Sequence, residues 1–97
     1  MLAAFSITPV GDGESVGEQV AAAVQVIRAS GLPSRTAASF TELEGEWDEV
    51  MEVIKHATDA VLAVSNRASI IIKADIRPGH TNTLNEKLES VERHLMS

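Results

Sequence analysis

Hydrophobic residues recur along this chain with two different spacings, and the order in which those spacings alternate limits the fold more than any other feature of the sequence. From Leu2 to Thr8, Ala3, Phe5 and Ile7 alternate with Ala4, Ser6 and Thr8, the pattern of a strand whose successive side chains face opposite ways. Pro9 and Gly11-Asp12-Gly13 end it. Ser15-Val-Gly-Glu18 then has capping-box spacing, and Val16, Val20, Ala23, Val24 and Ile27 follow at helical spacing up to the stop Ser30-Gly31-Leu32-Pro33. The β-branched and aromatic residues between Ser34 and Thr41 predict a second strand, with Leu43 to Gly45 returning as a short partner. A second helix starts at Trp47, with Asp48 and Glu49 in its first turn and an apolar stripe of Val50, Ile54, Ala57, Val61 and Val64. Ala68 to Ile76 predicts a further strand closed by Pro78-Gly79. Thr83-Leu-Asn-Glu86 caps a last helix striped by Leu84, Leu88, Val91 and Leu95.

This order is two split βαβ halves followed by an extra helix. Right-handed crossovers place the first two helices on one face of an antiparallel four-stranded sheet, so the expected fold class is α+β, a ferredoxin-like βαββαβ sandwich with an additional C-terminal helix. Ninety-seven residues, 44% of them hydrophobic, suit one domain over residues 1–97 with one core. A chain of this size is modestly stable alone and gains from self-association.

In the stretch Ile70 to Arg77, Lys73, Asp75 and Arg77 occupy alternate positions and so share a face, with Ile70, Ile72, Ala74 and Ile76 on the other. If Ala3, Phe5 and Ile7 meet the helices, then Ser6, Thr8, Ile71 and the three charged residues look outward. Such a face is either solvated, or paired in ion pairs with a second subunit, or used to bind a ligand. The acidic turn Thr41-Glu-Leu-Glu44-Gly45-Glu46 leads into the second helix. There Gly45 supplies an unusual backbone angle and the acids favour the helix end, or else Glu44 accepts hydrogen bonds from a heterocyclic amidine and Trp47 offers its ring to a cation. A lone tryptophan is also a common core or interface anchor.

Several functions are disfavoured. A formal charge of −6 opposes nucleic acid as a partner. The absence of cysteine removes thiolate metal sites and cysteine nucleophiles, and His56, His80 and His94 lack ligand spacing. No nucleophile elbow, phosphate loop or dinucleotide fingerprint is present, so neither an enzyme nor a cofactor is expected. The N-terminal stretch lacks signal-peptide character and no run reaches membrane-spanning length, which leads to the expectation of a cytoplasmic protein with no membrane partner.

Five short segments, Ser6-Ile-Thr-Pro-Val-Gly11, Ser30-Gly-Leu-Pro33, Thr41-Glu-Leu-Glu-Gly45, Lys73-Ala-Asp-Ile-Arg77 and Glu86-Lys-Leu-Glu-Ser-Val91, occur in an order that resembles the thiamine-binding protein family of small ferredoxin-like proteins. The resemblance implies binding without an established reaction, in dimers or tetramers that associate through their sheets. Thiamine or its hydroxymethylpyrimidine part would lie between the strands and a partner subunit. It carries ligand-binding roles onto Ser6, Thr41, Glu44, Lys73, Asp75 and Arg77. Ala74 and Ser34 depart from the larger aliphatic and the aromatic common in that family. The alternative is an interaction module whose open face only joins subunits.

Overall fold

The computed structural model describes residues 1–11, 17–79 and 83–96; the caps read at Ser15 and at the Thr83 side chain, together with Val16 and His80, lie outside what it describes. Its elements run β1 (Leu2–Pro9), α1 (Gly17–Ala29), β2 (Ser34–Thr36), β3 (Thr41–Glu44), α2 (Trp47–Leu62), β4 (Ala68–Asp75) and α3 (Thr83–Met96). The four strands form one antiparallel sheet in the order β2-β3-β1-β4, the arrangement that two split βαβ units produce. The α+β fold class expected from the sequence is therefore observed.

The core lies between the sheet and the two crossover helices. Ala3, Phe5 and Leu43 rise from the sheet to meet Ala23 and Ile27 of α1 and Val50, Ile54, Ala57 and Val61 of α2. Helix α2 follows its expected stripe closely, except that Val64 lies beyond its end and is exposed. Its N-terminus is held by the Glu49 carboxylate, which accepts the Glu46 N–H at 3.1 Å. Helix α1 ends where Gly31 adopts φ 78°, while the Ser30 hydroxyl donates to the Ile27 carbonyl at 2.6 Å and accepts the Leu32 N–H at 3.2 Å. Its buried side is Gln19, Ala23 and Ile27, and Val20, expected on the apolar stripe, is exposed at the mouth of a cleft that it lines with β1 and the β2–β3 hairpin.

Two segments differ from the sequence reading. Thr41 opens β3 instead of closing β2, since the chain reverses at Ala38-Ser39, where the Ala37 N–H meets the Phe40 carbonyl at 3.1 Å. Gly45 does not have positive φ; a Cβ there would approach Leu32 Cδ1 to 3.2 Å, so the glycine serves close packing of the loop before α2.

Helix α3 changes the open face. Leu2 and Glu44 point away from α1 and α2 by register, yet they are only 9% and 7% exposed. The cover is the start of α3, which approaches β3, buries Leu84 and pairs Lys87 with Asp75. Beyond that point its stripe is uncovered, through Leu88 and Val91 to Leu95 at 74% exposure. Core and stripe should respond differently to truncation: Ile54→Ala is expected to cost about 2–5 kcal/mol in urea unfolding, and Leu95→Ala less than about 0.5 kcal/mol. Equal losses would contradict this division.

Candidate functional site

The hydrogen-bonded register of the sheet assigns every strand side chain to a face. Opposite residues in an antiparallel pair share a side, and β1 places Ala4 opposite Lys73 and Glu42, Ser6 opposite Ile71, and Thr8 opposite Ser69. Arg35 of β2 stands opposite Glu42. The open face therefore carries a row Arg35, Glu42, Ala4, Lys73 across all four strands, with Glu44, Leu2 and Asp75 in the next row. Thr41, opposite Phe5, turns to the helix side with Leu43.

The six residues nominated from the sequence fall into separate places. Lys73 and Asp75 border a hollow of ≈ 390 Å³ on the open face, together with Leu2, Ala4, Glu42 and Lys87. Its small floor is Ala4. A neighbouring depression shares Ala4, Glu42 and Lys73 and is walled by Ala37 to Phe40. Glu44 is on the same face but buried beneath α3. Arg77 follows the end of β4 and lines a groove with Met1, Trp47 and Pro78 at the start of α2, where Trp47 is 53% exposed. Ser6 and Thr41 meet elsewhere.

Their meeting place is a cleft of ≈ 210 Å³ at the edge of β1, where the residues of both faces are within reach. Phe5 to Pro9 form its floor, Val20, Ala23, Val24 and Ile27 of α1 form one wall, and Thr36 to Thr41 form the other. Apolar residues predominate, Ser6, Thr8, Thr36, Ser39 and Thr41 are the hydroxyl-bearing residues along it, and no lining residue is charged. This is the usual composition of a site for a small, flat, uncharged ring. The cleft is below the ~300–1,000 Å³ typical of drug-sized ligands, so it suits one ring rather than a long molecule.

Sequence reasoning missed Glu42, Lys87 and Phe40. Glu42 becomes visible only when Thr41 to Glu44 are one strand, because its partner Ala4 then puts it on the ionic side. Lys87 and Phe40 reach their sites through tertiary packing. Among the described residues, no group of histidines and carboxylates could hold a metal ion, and no helix is long and apolar enough to cross a membrane.

The hydrogen bond and charge of Lys87 hold the Asp75 carboxyl below its ordinary value of 3.8, opposed by desolvation and aided to a lesser degree by the charges of Arg77 and Lys73. A depressed folded value stabilises the attachment of α3 above pH 3.8, and that contribution disappears as pH falls through the folded value. In a carboxyl NMR titration, Lys87→Ala should raise the Asp75 midpoint toward 3.8. An unmoved midpoint would contradict the clasp.

Comparison with known proteins agrees with this architecture. The profile of the family described as "Thiamine-binding protein" matches residues 3–92. A UPF0045 protein of Mycobacterium tuberculosis is 50% identical over 97 residues, covering 99% of this chain and 95% of its own. A solved hypothetical protein from Methanocaldococcus jannaschii superposes with a TM-score of 0.85 at 35% identity over 94% of each chain. A Bacillus cereus domain of unknown function does so at 0.80 and 31%, covering 89% of this chain and 84% of that one. With the profile spanning most of its length, this chain belongs to the thiamine-binding protein family.

Proposed function

We propose that the protein binds thiamine, or its hydroxymethylpyrimidine part, without turning it over, and that the pyrimidine ring enters the cleft between α1 and the β2–β3 hairpin. The observation that carries this reading is the convergence of Ser6 and Thr41, from different strands, on one apolar hollow with uncharged walls. A neutral aminopyrimidine loses little on leaving water for such a lining, and the hydroxyls can serve as donor or acceptor as its edge requires. The lining offers no cation for a diphosphate, which favours the unphosphorylated vitamin. Family membership supports the ligand class.

Asp75 and Glu44 are less available as readers of the ring. Asp75 would first have to release Lys87, and Glu44 lies beneath α3 with its own partner. Lys73, with Glu42 beside it across Ala4, instead faces whatever covers the sheet. Arg77 would act from the rim near Trp47.

A second reading, association into a dimer or tetramer through the sheet, is compatible with the first and has its own support. Edge strand β4 leaves Ile70, Ile71 and Ile72 exposed, Ile71 by 59% on the open face. The Arg35, Glu42, Lys73 row carries both signs, so a second copy could match it with opposite charges. Under this reading Ile71→Lys lowers the sedimentation coefficient, and an unchanged value would speak against the sheet as the contact.

Calorimetry tests the ligand. Thiamine or hydroxymethylpyrimidine should give measurable heat, and Ser6→Ala and Thr41→Val should each weaken binding by about 2–10-fold, the range of one neutral hydrogen bond at ~0.5–1.5 kcal/mol. No heat with either compound at millimolar concentration would reject the assignment.

A further inference from the structure

The two edges of β1 differ in length. Toward β4 the strand is paired along Leu2 to Pro9, whereas toward β3 pairing stops at Phe5 opposite Thr41. Which main-chain groups face the unpaired stretch follows from three hydrogen bonds. Val10 N–H donates to the Arg67 carbonyl at 2.8 Å, one step beyond the Pro9–Ala68 pair, so the even-numbered residues of β1 spend their N–H and C=O on β4. At the other end the Met1 nitrogen donates to the Gly45 carbonyl at 2.8 Å, and the Gly45 N–H donates to the Met1 carbonyl at 3.1 Å. The odd-numbered residues therefore turn toward β3.

Ala3 and Phe5 find partners there. Ile7 is the next odd residue, and the residue that would face it, Ser39, has left for the turn at the hairpin tip. Among the described residues, the Ile7 N–H and C=O have no sheet partner, and both face the cleft in which Ser6 and Thr41 meet. Pro9, the odd residue after it, has no N–H, which is why a proline is tolerated inside this strand. A whole peptide strand therefore cannot continue the ladder along this edge: one residue alone offers both a donor and an acceptor.

We propose that the Ile7 main chain is the recognition edge of the site, reading a flat heterocycle that carries a ring nitrogen beside an exocyclic amine. The ring nitrogen accepts from the Ile7 N–H and the amine donates to the Ile7 C=O, while Val24, Ile27 and Phe40 supply the apolar walls. Two neighbouring bonds of opposite polarity discriminate strongly, because an analogue lacking either one leaves a main-chain group unpaired in a cleft the ring has emptied of water. The identification of this heterocycle as the pyrimidine of thiamine rests on the function proposed above; the edge itself would equally take the adenine of a purine nucleoside.

The test is a titration of the 15N-labelled protein, followed at the Ile7 amide, with 4-aminopyrimidine, hydroxymethylpyrimidine, thiamine and adenosine. Binding should shift the Ile7 amide strongly and slow its exchange with solvent. An analogue with carbon in place of the ring nitrogen beside the amine should bind about tenfold more weakly. If thiamine binds while the Ile7 amide stays unmoved, the inference falls and the vitamin assignment stands. If 4-aminopyrimidine or adenosine moves Ile7 and thiamine does not bind, the inference stands and the vitamin assignment falls. Binding by none of the four overturns both.

Discussion

The unequal pairing of β1 is the constraint from which the rest of the molecule follows. A central strand must satisfy main-chain groups on two edges, and this one finds a full-length neighbour in β4 and a half-length neighbour in β3. Where both neighbours are present, the sheet is continuous and its helix side is sealed by Phe5 and Leu43 against α1 and α2. Where β3 is missing, a cleft opens between α1 and the hairpin, with Val20 exposed on its wall. The apolar cleft beside β1 is thus a consequence of strand length.

Helix α3 determines what the opposite face can do. By seating Leu84 over the end of the sheet and fastening Lys87 to Asp75, it removes Leu2 and Glu44 from solvent and leaves Glu42 and Lys73 as the charged groups beside Ala4. Its anchoring is confined to its first turns, and its remaining apolar stripe is left exposed, as are the isoleucines of β4. One side of the protein is therefore suited to a small uncharged ring and the other to an extended surface.

Element order, helix stripes and the outward parity of Lys73 and Asp75 were legible because periodicity is local and survives without tertiary knowledge. The boundary between β2 and β3 was not, because Ala37, Ala38 and Ser39 carry no turn chemistry as strong as an Asn-Gly pair. That error hid Glu42, since a residue's face cannot be counted before its strand is defined. The position of α3 was invisible for a different reason: its stripe predicts that some surface is covered, but only tertiary structure shows that this surface is the end of the open face. Main-chain recognition at Ile7 leaves no side-chain signature at all, so it follows from register alone.

The most direct measurement is a crystal structure of the protein grown with hydroxymethylpyrimidine. The account predicts the ring lying in the plane of β1, between α1 and the hairpin tip, with its nitrogen edge against Ile7 and the hydroxyls of Ser6 and Thr41 at its margin. A ring seated on the open face among Glu42, Lys73 and Asp75, with the edge of β1 still empty, would contradict it.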